Sequence, residues 1–236
     1  MRTYDPDQPL IFIHVPKTAG QSVYTIFHSW FPDTIHRHYY SSTLNRPPSR
    51  LDLRQPSGSN PPLIFGHFNR DRGFGIEQYY PEVSQFVSIL RDPFEMHLSR
   101  YFYVRRWSAE RRRNSDIQDR SLTDHLQNSE LKMLVHFPRE VTRDNYRDII
   151  EEFFVDIGCV ETLGPSLKRI GQRLGKPVEK MRLPKKNVTP RDLPIPDGAY
   201  DDFRTRWPLE FDIYDYVRSL SPASHETTKP SQVFEG

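Results

Sequence analysis

The chain has 236 residues, 33 of them basic and 31 acidic, with 36% hydrophobic and 13% aromatic side chains. That length suits one domain with a sizeable, aromatic-rich core, and the net charge of +2 argues against a nucleic-acid binder. Cys159 is the single cysteine, which excludes an internal disulfide, and no apolar run approaches the ~20 residues that cross a membrane. The opening MRTYDPDQP lacks the apolar middle of a signal peptide, so the expectation is a soluble, cytoplasmic protein without membrane partners.

In chain order, PLIFIHV (9–15) is an apolar run bounded by prolines and predicts a buried strand. A tight Pro-Lys-Thr-Ala-Gly turn follows, and Val23, Ile26, Phe27 and Trp30 then take helical spacing. Residues 41–62, rich in Pro and Ser, read as a long surface excursion. LIFGHF (63–68) predicts a second strand ending in a Gly-His pair, and FVSILR (86–91) a third. In the next segment Asp92 caps a helix, Pro93 takes its first position and Glu95 completes a capping box. A polar, basic stretch (105–120) leads to short helices near 121–128 and 144–152. EFFVDIG (152–158) reads as a strand, 161–175 as the helix behind it, 176–199 as irregular, and 208–220 as a last amphipathic helix. Strands alternating with helices predict a single α/β domain over 1–220, a central parallel sheet flanked by helices, with a polar, disordered tail from 221 to 236.

A strand, a tight turn and a helix N-terminus form an anion site, because free backbone N–H groups and the helix dipole point at the ligand. Lys17 adds a full charge there, and Thr18, Gln21 and Ser22 offer side-chain donors. A triphosphate loop would read G-x-x-x-x-G-K-[ST]; PKTAGQS is shorter and suits a single phosphate group. The plain alternative is a strand-to-helix turn with a solvated lysine. Arg91 closes a second strand and Ser99 lies two turns into the following helix, a fork and a hydroxyl suited to another phosphate. Their alternatives are a local ion pair for Arg91 and a bond to its own helix backbone for Ser99.

Two single-phosphate sites on one sheet edge imply a nucleotide phosphorylated at two places. VPKTAG followed by RDPFEMHLS resembles the 5′- and 3′-phosphate motifs of sulfotransferases that use 3′-phosphoadenosine 5′-phosphosulfate (PAPS), most of all the heparan sulfate 2-O-sulfotransferase group and its bacterial relatives. The resemblance continues in order through GHF at 66–68, SRYFYVRRW, FFVDIGCVETLGPSLKRIGQRLG, KKNVTP and FDIYDYV. It implies a P-loop-NTPase-like sulfotransferase fold. It also implies that Lys17, with Thr18, Ala19, Gly20, Gln21 and Ser22, holds the 5′-phosphosulfate and stabilises the leaving oxygen. Arg91 and Ser99 would grip the 3′-phosphate, and Asn187 and Thr189, near Lys185 and Lys186, would close over the nucleotide. His67 becomes the candidate general base, because histidine accepts a proton near neutral pH; a packed histidine bonded to a carbonyl is the alternative. The chain departs from the family at Gln21, where a hydroxyl residue is usual, and at Phe65, where many relatives carry a second histidine. No metal is expected.

For the acceptor, a hydroxyl-bearing glycan or other small molecule, the arginines of the basic stretch are the candidates: Arg105, Arg106, Arg111, Arg112 and Arg113. A solvated basic helix is the other reading of that stretch. The rival functions are a small nucleotide kinase or NTPase, a nucleic-acid-binding module, and a degenerate PAPS binder without turnover.

Overall fold

The computed structural model describes residues 1–41, 43–53, 61–111, 120–179, 181–183 and 190–220. Its centre is a sheet of β1 (Leu10–Ile13), β2 (Ile35–His38), β3 (Leu63–Gly66), β4 (Phe86–Leu90) and β5 (Phe154–Cys159), in the order β2-β3-β1-β4-β5. Every neighbouring pair is parallel. The flanking helices are α1 (Gly20–Trp30), α2 (Ile76–Tyr79), α3 (Pro93–Arg111), α4 (Leu122–Asn128), α5 (Tyr146–Phe153), α6 (Leu163–Arg173), α7 (Ala199–Arg206) and α8 (Pro208–Ser219).

Alternate strand residues feed two cores, as the pleat requires. Leu10, Phe12, Phe65, Val87 and Ile89 pack with Val23 and Phe27 of α1 and with Leu167 and Ile170 of α6. Ile11, Ile13, Ile64, Phe86 and Leu90 pack on the opposite face with Leu98 of α3, Ile150 of α5, Phe203 of α7 and Ile213 of α8. The result is the expected α/β domain with a central parallel sheet. Near-continuous apolar strands are what a sheet covered on both faces demands. A charge inside it, the buried Asp156 of β5, is held by two Arg169 nitrogens at 2.9 Å and by Arg173 at 3.3 Å.

Several boundaries differ from the expectation. β2, sequence IHRH, has one buried residue, His38, so its edge position left no apolar run to find. The strand expected at 152 begins at Phe154, because α5 carries its buried Ile149 and Ile150 through Phe153 first. α3 runs on to Arg111, seven residues into the stretch read as merely polar and basic. α7, with Phe203 as its one buried side chain, begins where the irregular segment was expected to end. The tail from 221 lies outside the described residues. Among the described residues no helix is long and apolar enough to cross a membrane.

Candidate functional site

The connections leaving β1 and β4 run to opposite sides of the sheet, so the topological switch lies between these two adjacent strands. In open α/β folds that is where ligands enter, beyond the strands' carboxyl ends. Three adjacent strands, β3, β1 and β4, end there in His67, the Lys17 turn and Arg91. The fold thus brings the three central sequence candidates to one edge.

The turn after β1 is strained and braced. Lys17 (φ 69°) and Ala19 (φ 61°) both adopt the left-handed conformation, at about 1–2 kcal/mol each for a residue with a Cβ. The buried Thr18 hydroxyl donates to the Val15 carbonyl at 2.7 Å, closing the turn. Thr18 therefore has no hydroxyl proton to offer a ligand, contrary to the expected side-chain donor; what remains is its backbone. Gly20 opens α1 where a Cβ would sit 1.8 Å from His14 Nε2, so only glycine lets the imidazole pack against the helix start. The first helical bond of α1 is from the Val23 N–H to the Ala19 carbonyl at 3.1 Å, so the N–H groups ahead of it face the turn. Gln21 is exposed and Ser22 half-buried.

The Lys17 ammonium lies 3.7 Å from the centre of the Tyr103 ring. Burial, then the charge of Arg91, lowers its pKa to about 8. Arg91 in turn donates to the Lys17 carbonyl at 3.4 Å and pairs with Glu95 at 3.1 Å. Glu95 also takes both terminal nitrogens of Arg191, one at 3.1 Å. Burial alone would raise the Glu95 carboxyl, but Arg191 and Arg91 outweigh it and hold it below its ordinary value. The expected capping box is therefore half built: Asp92 caps the Glu95 N–H at 2.9 Å, while the Asp92 N–H goes to Glu161 at 3.1 Å. The Glu95 carboxylate is needed by the arginines instead. Ser99 stands one helical turn from Glu95 and one from Tyr103, on the stripe between the two cations. Its hydroxyl has no hydrogen-bond partner among the described residues.

His67 follows β3 in a Gly-His pair. Gly66 is required because a Cβ there would meet the His38 carbonyl of β2 at 1.8 Å. The His67 Nδ1 lies 2.5 Å from the His14 carbonyl oxygen, which can only accept, so Nδ1 carries the proton and Nε2 keeps its lone pair. Nε2 has no partner among the described residues, and His67 lines the same cavity as Lys17. Burial lowers the His67 pKa, against the opposing pull of the His14 carbonyl. The imidazole is packed between the His14 ring at 4.4 Å and the edge-on Tyr39 ring at 4.8 Å, with His136 at 6.0 Å. Tyr39 is itself fixed by a 2.9 Å bond between its hydroxyl and His14 Nδ1. Burial holds His136 down to about 3 and His14 well below the ordinary histidine value, so both are neutral neighbours. Phe65 is buried, stacked on Phe12 at 4.4 Å with its ring 5.7 Å from that of His14, so the cluster's second and third histidines are His14, just after β1, and His136. Among the described residues no group of three His, Cys, Asp or Glu is placed to hold a metal ion.

Lys17 and His67 share a cavity of about 560 Å³ whose walls include Tyr40, Arg72, Phe74, Met96, Arg100, Tyr103, Leu131 and Lys132. Of the acceptor arginines expected from the basic stretch, the two whose side chains are described, Arg105 and Arg106, do not line the cavity. α3 presents Met96, His97, Arg100, Tyr103 and Val104 to the cavity, which is one helical face. Arg105 and Arg106 are turned off that face; Arg105 pairs with Asp192 at 3.1 Å. The side chain of Arg111, and Arg112, Arg113, Lys185, Lys186, Asn187 and Thr189 entirely, lie outside the described residues. Tyr39 and Tyr40 follow the unrecognised strand β2, so nothing in the apolar pattern pointed to them. Arg72 and Phe74 sit within eight residues of the Gly-His pair, and that proximity was the one available signal.

No protein-family model matches the chain, and no curated protein matches it in sequence. Two solved structures are similar to it in fold. A sulfotransferase from Alicyclobacillus acidocaldarius is 11% identical with a TM-score of 0.44, covering 91% of this chain and 96% of that one. Mouse sulfotransferase SULT7A1, crystallised with PAP, is 12% identical with a TM-score of 0.43 over 75% of this chain. This chain spans 61% of the length of the mouse protein.

Proposed function

We propose that this chain transfers the sulfuryl group of PAPS to a hydroxyl acceptor in the cytoplasm. The observation that carries the reading is one cavity holding both a neutral imidazole with its lone pair open and a lysine on a short anion-binding turn. His67 takes the acceptor's hydroxyl proton at Nε2, and the Nδ1 bond to His14 supports the imidazolium that results. Lys17 and the α1 N-terminus stabilise the charge that develops on the 5′-phosphate oxygen as the S–O bond breaks. Arg91 and Ser99 hold the 3′-phosphate, with Arg191 added by the Glu95 network. The ordered motifs from VPKTAG to FDIYDYV support the same assignment. Gln21 contributes an amide where a hydroxyl is usual, and no step depends on it.

The test is thermal denaturation with adenosine 3′,5′-bisphosphate, AMP and ATP–Mg²⁺, on the wild type and Arg91→Ala. At a hundred times its dissociation constant the bisphosphate should add about 2.7 kcal/mol, roughly 5–11 °C in Tm. Stabilisation by the bisphosphate alone, lost in Arg91→Ala, supports the reading. Equal or better stabilisation by ATP–Mg²⁺ would sink it in favour of a nucleotide kinase. Bisphosphate binding without transfer to any acceptor would leave a degenerate binder.

A further inference from the structure

The cavity beside His67 has a composition that a neutral sugar would not match. At about 560 Å³ it is the size that encloses a small molecule, for which roughly 300–1,000 Å³ is usual. Phe74, Met96 and Leu131 are buried lining residues with no hydrogen bond to offer, and the rings of Tyr40 and Tyr103 add two flat faces. A ring of hydroxyls against that lining would leave polar groups without partners.

The cations around the lining are not equivalent. Lys132 is answered by Asp71 at 3.0 Å and Glu130 at 2.5 Å. Lys17 belongs to the leaving phosphate. Arg72 and Arg100 have no carboxylate partner among the described residues, and of the two it is Arg72 that an aromatic ring holds, its guanidinium carbon 3.8 Å over the centre of the Tyr40 ring. Tyr40 is itself stacked near Phe74, with centroids 5.9 Å apart and planes 26° from parallel, and its hydroxyl donates to Asn45 at 2.7 Å. A guanidinium held by its face keeps its edge N–H groups free for an anion. The loop that carries it is closed onto itself. Asn69 and Phe74 exchange backbone bonds at 3.2 and 3.1 Å, and the Asn69 side chain accepts the Arg72 N–H at 3.0 Å. Arg72 therefore stands at a fixed offset from His67, on the same short loop.

Resting on the sulfuryl-transfer reading, we propose that the acceptor is a small hydroxy compound with an apolar, ring-sized body and an anionic head, and that Arg72 takes the head. The body lies between Phe74 and Met96, which leaves the hydroxyl at His67. The hydroxyl proton goes to His67 Nε2 and the oxygen bonds to sulfur. The sulfur–oxygen bond to the 5′-phosphate breaks, and its electron pair stays on that phosphate. No oxidant or metal enters the balance.

The experiment measures binding and turnover separately on the full chain. With adenosine 3′,5′-bisphosphate present, binding of 3-(4-hydroxyphenyl)propanoate, its uncharged counterpart 4-propylphenol and a uronic-acid disaccharide is read by calorimetry. Initial rates are then read with PAPS as donor. The expected result is that the carboxylate binds about tenfold or more tighter than the other two, as a charge-assisted bond allows. The carboxylate-to-phenol ratio then falls about tenfold in Arg72→Leu, an exposed position where folding is not at risk. A ratio unchanged in Arg72→Leu, a preference for the disaccharide, or no binding of any of the three overturns the inference. Arg72-dependent binding without sulfated product upholds the pocket and sinks sulfuryl transfer. Sulfated phenol with no preference for the charge does the reverse.

Discussion

The two sides of the ligand edge are built differently. On the β3 side, the groups that orient His67 are parts of the fold: the His14 backbone carbonyl just after β1, a tyrosine ring after β2 and a neutral histidine at 136. On the β4 side, the cations are held by partners that a ligand can replace. Glu95 holds Arg91 and Arg191, and the Tyr103 ring holds Lys17. In the proposed reading His67 is a base that must keep its tautomer before substrate arrives, and a rigid support serves that. A phosphate grip only needs its cations kept near the site, and an ion pair that is partly exposed costs little to exchange.

That contrast can be broken or sharpened by experiment. The largest effect belongs to His67→Ala, which should lower kcat by about 10²–10⁴-fold while bisphosphate affinity stays near wild type. Single-turnover rates and calorimetry on the same sample check it; loss of nucleotide binding would mean that the two sides are not separable. Lys17→Met should follow with about 10²–10³-fold in kcat, the usual value of one donor at a developing oxyanion. If only KM rises, Lys17 serves binding alone.

The pH dependence divides the sides again. His67 must be neutral, and its pKa is lowered, so activity rises through a limb below the ordinary 6.5. Lys17 must be charged, so kcat/KM should fall through about pH 8. Removing Arg91 takes away a like charge, so Arg91→Ala should move the alkaline limb upward and leave the acid limb in place. Stability should add to the acid limb. The pKa values of His38 and His136 are depressed to about 4 and 3 in the folded state, so the unfolded chain binds more protons below pH 6.5. Stability is thus full above that pH and falls as the pH drops toward 4, by about 1.4 kcal/mol per pH unit for each proton concerned, and Tm falls with it. A flat Tm from pH 7 to 5 would show that these histidines already titrate normally.

The smallest effect tests the exchangeable side. Glu95→Gln frees Arg91 and Arg191, and bisphosphate binding should tighten about two- to fivefold, the scale of a partly exposed ion pair. Weaker binding would mean that Glu95 positions the arginines rather than competing for them.

Much of this was legible before any coordinates. Apolar strands at 10–13, 63–66, 86–90 and 154–159 announced themselves because a sheet covered on both faces needs unbroken hydrophobic runs. The Lys17 turn, Arg91 and the Gly-His pair stood at strand ends, where a parallel sheet places its ligands whatever its strand order. β2 was not legible, since an edge strand of two histidines, an arginine and one isoleucine carries no such run. With it went Tyr39 and Tyr40.

Local pattern therefore determined four of the five strands, the class of fold and three residues of the candidate site. Tertiary structure alone decided which cations face the cavity, because that depends on the rotation of α3 and on the closure of the Asn69–Phe74 loop. Those are set by packing between segments far apart in the chain. The same packing gave His67 the His14 carbonyl just after β1, and no spacing within one segment encodes a bond to the backbone of another.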